Sequence, residues 1–277
     1  MIPPVTTDLI VLTLGLGIVS GALGSMLGLG GGVFLVPFLV MVVGMPFSAA
    51  AAISLAAVIA TSNVVSAAST GRHLVNLRLG IVLEVATAAG GLSGGLLAPL
   101  VPARVLEGLF VATLGAVAIQ LLRRLGRVNT VPDDGRPLGP LDGRIVDERS
   151  GQVLVYRVTR TPVAFGASFV AGLLSTMLGI GGGIVKVPVL TSWCGVPIRV
   201  AAATSAFMIG VTATAGAIIY YGQGVMIPTL AAAVVLGARV GTGAGMRLAL
   251  RWQPRDLKLL LATVLLTVAG LMLWRML

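Results

Sequence analysis

One unusual motif is stated twice in this chain. Residues 21–32 read GALGSMLGLGGG and residues 172–183 read GLLSTMLGIGGG. Each copy runs on to a proline (Pro37, Pro188), a Gly-x-Pro turn (Gly44–Pro46, Gly195–Pro197) and an alanine-rich apolar stretch. The offset of 151 positions holds without a gap to the end of the chain, and roughly a third of the paired positions are identical, at a period far longer than that of a solenoid. A duplicated, mostly apolar chain with a glycine break at the same place in each half points to the architecture of a secondary transporter.

Mean hydropathy is +1.04. Hydrophobic residues make up 57% of the chain and charged residues only 10%, too little polar surface for a soluble protein of this length. The apolar runs are long and unbroken, where strands of an outer-membrane barrel would alternate with period two. The expectation is an all-α polytopic membrane protein. The N-terminal MIPPVTTDLIVL has no basic residue before its apolar run, so it reads as a retained first helix and not as a signal peptide. The net charge of +10 sits mostly in connecting segments beside the spans. It therefore reports membrane topology, and no nucleic-acid partner is expected. A single cysteine, Cys194, excludes an intrachain disulfide; without a nearby basic residue in sequence it reads as a small core residue.

Ten apolar segments fall into two sets of five: 7–27, 33–43, 48–69, 78–98 and 104–122, then 162–178, 184–194, 199–221, 226–248 and 256–275. The second of each set is short. Eleven helical residues reach about 16 Å, about half of a bilayer core near 30 Å. Each is a half-helix paired with a broken first helix, or a span completed by irregular backbone. Both choices give an odd number of crossings per repeat, so the repeats are expected to be inverted in the membrane. Charge supports this. Arg72, His73 and Arg78 lie in the third loop of the first repeat, and the matching loop near Gly222–Thr229 has no charge. The fourth loop of the first repeat carries only Arg104 and Glu107, whereas its match carries Arg247, Arg251, Arg255 and Lys258. The positive-inside rule places both basic loops in the cytoplasm and both termini on the other side.

The organisation expected is a first transmembrane repeat at 1–122, a cytoplasmic linker at 123–161 and a second repeat at 162–277. The linker starts basic (Arg123, Arg124, Arg127), then mixes in Asp133, Asp134, Asp142, Asp147 and Glu148. Pro132, Gly135, Pro137, Gly139 and Pro140 break any helix there. Alternation on both sides of Arg149–Gly151 reads as a β-hairpin.

The glycine breaks, Gly28–Gly32 and Gly179–Gly183, lack the third glycine of a dinucleotide fingerprint and the Lys-Ser/Thr of a phosphate loop. What remains is unwound backbone at membrane depth, tolerated only where it is buried in protein or lines a polar cavity. A short helix follows each break, and its unpaired N–H groups and positive dipole end suit an anion. Gly30, Gly31, Gly32, Gly181, Gly182 and Gly183 are therefore candidate binding residues; the alternative is that they only let helices pack closely. Lys186 follows the second break, where the first repeat has Leu35. It either pairs with the anion or snorkels to an interface. Ser54 matches Ser205, Thr61 matches Thr212, and Thr204 stands beside Ser205. These hydroxyls either complete an anion's shell or bond between helices. Glu84 and Arg239 are the other charges well inside spans, opposite Val235 and Ala88. They read as a structural ion pair across the pseudo-twofold axis, or as a proton-coupling carboxylate and an anion ligand. No catalytic set, metal-ligand cluster or cofactor motif is read, so no enzyme is expected.

The paired G-x-G-G-G, the V-P that follows, the Gly-x-Pro turn and the A-A-A-x-S/T-S stretch together resemble the TauE/SafE sulfite exporter family, also called the toluene-sulfonate uptake permease family. The resemblance covers both halves and leaves out mainly the central loop and the extreme N-terminus. It implies transport of sulfur oxyanions such as sulfite or organosulfonates across the cytoplasmic (inner) membrane, with a small anionic substrate and the lipid bilayer as partners. Lys186 departs from symmetry, since the first copy of the motif lacks it. Export of sulfite by alternating access is the expectation; organosulfonate uptake or an anion channel are the alternatives. A homodimer is expected only by analogy with other such transporters.

Overall fold

The computed structural model describes residues 5–27, 30–70, 74–123, 131–132, 137–146, 153–249 and 254–276. Gly28 of the first break lies outside them. So do Arg72, His73 and Arg251 of the basic loops, and Arg124 and Arg127 at the linker's start. Asp133, Asp134, Gly135, Asp147, Glu148 and the hairpin tip Arg149–Gly151 are outside as well.

Two series of five helices make up the described chain. The first is α1 (Thr7–Leu27), α2 (Gly32–Met41), α3 (Phe47–Thr70), α4 (Leu77–Leu97) and α5 (Ala103–Arg123); a 3-10 turn, Ala98–Leu100, extends α4. The second is α6 (Thr161–Leu178), α7 (Gly183–Ser192), α8 (Ile198–Gly222), α9 (Pro228–Ala249) and α10 (Pro254–Met276). Six of these, α1, α3, α4, α6, α8 and α9, hold stretches long and apolar enough to cross a bilayer. The short α2 and α7 are ten residues each, about 15 Å, and begin exactly one repeat apart.

Packing respects the repeat. α1 lies on α9 and α4 on α6, while α3 packs on α8 and α5 on α10. The contacts also correspond residue by residue. A side chain at Gly90 would run into the Phe169 backbone and one at Gly94 into Leu173; one at Gly241 would meet Ile18 and one at Gly245 Ala22. Each second pair is the first shifted by the repeat offset. Absence of a Cβ at Gly90 and Gly241 is thus what lets these helix pairs touch backbone to backbone, the usual route to tight association where solvent offers no hydrophobic drive. Between the equivalent helices α3 and α8, Leu55 meets Gly216 while Ser62 and Asn63 meet Gly210, so they run antiparallel.

The exterior is apolar and the interior carries the polar groups. Val11, Val19, Ile81, Val85, Phe165, Val170, Leu236 and Val240 are exposed, whereas Ser54, Thr61, Ser175, Lys186, Thr204, Ser205 and Thr212 are buried. In water this arrangement would leave a large sticky surface; in lipid it is the stable one.

The linker forms a small sheet of order β1-β3-β2 from β1 (Val131–Pro132), β2 (Gly143–Val146) and β3 (Val153–Tyr156), with β2 and β3 antiparallel. Asn76 fastens it to the helices. Its Oδ1 caps α4 by accepting from the Leu79 N–H at 3.0 Å. Its Nδ2 donates to the Leu141 carbonyl at 2.8 Å and to the Tyr156 hydroxyl at 3.0 Å, and its own N–H donates to Thr204 Oγ1 at 3.0 Å. Burial lifts the Tyr156 phenol above its ordinary range, which keeps that hydroxyl protonated.

The glycine contacts give a sharp expectation. Gly241→Val drives a side chain into the Ile18 backbone and costs about 2 kcal/mol or more. Gly243→Ala, with open space around it, leaves stability unchanged. Thermal unfolding of the detergent-solubilised protein separates the two.

Candidate functional site

Both glycine breaks are unwound, as a helix cannot continue through left-handed residues. Gly30 and Gly31 have φ of 82° and 77°, and Gly179 and Gly181 have 68° and 65°. The breaks converge: Gly30 and Gly181 each pack on Val58 of α3 and Ile209 of α8, which are themselves repeat equivalents, and Gly32 lies against the Gly179 carbonyl. Hydroxyls from α3 satisfy the freed backbone. Ser54 Oγ donates to the Gly179 carbonyl at 2.6 Å, and Thr61 Oγ1 donates to the Gly30 carbonyl at 2.9 Å. These two side chains therefore brace the breaks. A small cavity of about 10 Å³, room for one water, borders Gly24, Gly30, Thr61 and Ser62.

The charged chemistry lies on one side only. Lys186 springs from the second turn of α7, and its side chain runs back toward the helix start, with Cε 3.4 Å from where a Cβ on Gly182 would stand. Its Nζ lies 4.0 Å from Glu84 Oε2, with 1% of the lysine side chain and 12% of the glutamate's exposed. The other carboxylate oxygen, Oε1, accepts from Thr212 Oγ1 at 2.9 Å. Ser175 Oγ accepts the Gly182 N–H at 2.8 Å, fixing the entry into α7. Among the described residues, Lys186 Nζ, Glu84 Oε2 and the Ser205 hydroxyl have no hydrogen-bond partner.

Glu84 thus pairs with Lys186 and not with Arg239, which stands exposed on α9. The reason is packing: α9 lies on α1 and α3, while α4 and α7 both pack on α6 and α8. Thr204 is held at the linker end of α8 by Asn76, away from Thr212. The structure brings together Gly181, Gly182, Gly183, Lys186, Thr212 and Glu84. Gly30, Gly31, Gly32, Ser54 and Thr61 form the uncharged counterpart. Ser175 escaped the sequence reading, although it faces Gly24 in the repeat alignment and was a visible asymmetry.

An ammonium, the positive end of a helix dipole and the first-turn N–H groups converge at the start of α7. Such an arrangement holds an anion. Because the pair is buried, removing one partner leaves a lone charge. Lys186→Met is expected to cost about 3 kcal/mol, and adding Glu84→Gln to recover most of it. A thermal-unfolding cycle over the two single variants and the double checks this, with Arg239→Met as a neutral control.

A family model described as "Sulfite exporter TauE/SafE" matches residues 13–272. The chain is 25% identical over 263 residues to the "Probable membrane transporter protein YunE" of Bacillus subtilis (strain 168), covering 91% of this chain and 93% of that one. No solved structure matches the chain.

Proposed function

Because this chain belongs to the TauE/SafE sulfite exporter family of membrane transporters, we propose that it exports small sulfur oxyanions, sulfite first among them, from a single site at the start of α7. The observation that carries this reading is a fully buried lysine ammonium with no hydrogen-bond partner among the described residues, folded back over the positive end of its own helix. An anion there would meet Lys186 and the amides of the first turn, with the Thr212 hydroxyl close by through its bond to Glu84. Gly181, Gly182 and Gly183 matter because they let that backbone approach a ligand bare of side chains.

Transport would follow from rocking of two inverted repeats across the inner membrane, with the site exposed first to one side and then to the other. Antiparallel α3 and α8, which are repeat equivalents, support inversion, as does the alternation of basic loops. On that reading the linker is cytoplasmic and the termini are not. Gly30, Gly31, Gly32, Ser54 and Thr61 would then be the structural copy, shaping the pivot around Val58 and Ile209.

In liposomes the reconstituted protein is expected to carry sulfite saturably and in preference to sulfate, thiosulfate, taurine and sulfoacetate. Lys186→Ala and Gly182→Leu, the latter filling the space beside the lysine stem, lower the flux by at least about tenfold. Saturable flux that ignores both changes moves the site elsewhere. Preference for a sulfonate over sulfite replaces the substrate, and currents beyond carrier turnover replace the carrier by a channel.

A further inference from the structure

We propose that Glu84 is a built-in counter-ion which occupies Lys186 when the site is empty and yields it to the substrate by taking up a proton, so that one proton moves with each singly charged anion. This rests on the anion site just proposed at the start of α7.

The pair is unlike a structural salt bridge. At 4.0 Å it is beyond hydrogen-bond reach, and both Nζ and Oε2 remain without hydrogen-bond partners among the described residues. The carboxylate is held from the other side, through Oε1, by Thr212. Glu84 is also the more exposed partner. The lysine thus keeps its donors for a visitor, and the glutamate neutralises it without closing on it. The first repeat shows what the site is without this device. There Thr61 donates to the Gly30 carbonyl, while its equivalent Thr212 is turned to Glu84. Leu35 and Val235 stand where the second-repeat site has Lys186 and the first-repeat helix α4 has Glu84.

Charge balance requires the proton. An anion on Lys186 beside an ionised Glu84 would set two negative charges against one positive in a buried space, which is strongly unfavourable. Among the described residues, the ion pair formed by either group is the one with the other. Of the elements packed on them, α6 carries no charge, and α8 has Arg199 in its first turn and Tyr220 and Tyr221 far beyond Thr212. The Tyr220 hydroxyl donates to the Thr176 carbonyl. α5 brings Arg104 and Glu107 in its first two turns and ends at Arg123, and α4 itself has Arg78 at its start. The empty site therefore holds a cation and a carboxylate; the loaded site holds a cation, the anion and a neutral carboxyl. Both are net neutral. The proton enters from the side that supplies the anion and leaves from the side that receives it.

The test uses the full chain as wild type, Glu84→Gln, Lys186→Met and the double variant. In liposomes, exchange of labelled sulfite and net flux are measured separately, and Glu84→Gln raises the ratio of exchange to net flux at least about tenfold. Net flux is the quantity that suffers, because the emptied site strands a lone buried cation that cannot return. In gluconate buffer, added chloride, whose charge does not change with pH, raises the unfolding temperature of Glu84→Gln at every pH. It raises that of wild type increasingly as pH falls, and leaves the double variant unmoved. A ratio in Glu84→Gln equal to that of wild type overturns the proposal. So does chloride stabilisation of wild type that ignores pH. If wild type carries no sulfur anion, the sulfite reading fails, and the chloride arm alone decides this one. Should Glu84→Gln fail to fold, Glu84→Asp, drawn back by one methylene, is expected to shift the pH dependence of chloride stabilisation; an unshifted profile counts against the proposal.

Discussion

The Gly30 and Gly179 carbonyls lie outside any helix in the middle of a bundle of membrane spans, where lipid supplies no donor. Each is instead met by a hydroxyl from α3, Thr61 for the first and Ser54 for the second. Without those bonds the breaks would carry uncompensated backbone at a cost of several kcal/mol each, and the chain would lower its energy by continuing the helix or expelling the segment. With them, two short helices can start inside the protein. Everything of chemical interest depends on that, because a helix that starts in the interior presents its amides there.

Symmetry and asymmetry are divided cleanly between packing and chemistry. The glycine contacts of α1 with α9 and of α4 with α6 correspond position by position, and both breaks settle on Val58 and Ile209. The charges do not follow. Lys186 and Glu84 have apolar equivalents, Leu35 and Val235, and they belong to different repeats yet meet in one place. Duplication supplies a scaffold with two equivalent cradles, and one of them carries the ionic groups. α4 brings Glu84 to that cradle, and at its start Asn76 joins the helix to the linker sheet and to α8. The segment between the repeats is thereby tied to two of the helices that line the ion pair.

Much of the fold was legible because its signals are local. Apolar run lengths gave the helices nearly to the residue, including the short α2 and α7, and the alternation in the linker agrees with the β2–β3 pairing. The role of Ser54 and Thr61 was harder to read. Their hydroxyls were equally compatible with a ligand and with a carbonyl, and only the position of the breaks relative to α3 shows which carbonyls they meet. The partner of Glu84 was also beyond reach. Arg239 looked suitable by its depth in a span, whereas the true neighbour is set by α4 and α7 sharing α6 and α8, a long-range arrangement that no spacing encodes. The asymmetry itself was visible: two charges, each opposite an apolar residue in the other repeat, had to find one another or a ligand.

An experimental structure soaked in selenite, the heavier analogue of sulfite, tests the central claim most directly through anomalous scattering. The account predicts a selenium peak at the start of α7, within about 4 Å of Lys186 Nζ, with the Glu84 carboxyl drawn off the lysine toward Thr212. A peak at the uncharged break beside Thr61, or selenite bound with the Lys186–Glu84 pair undisturbed, would contradict it.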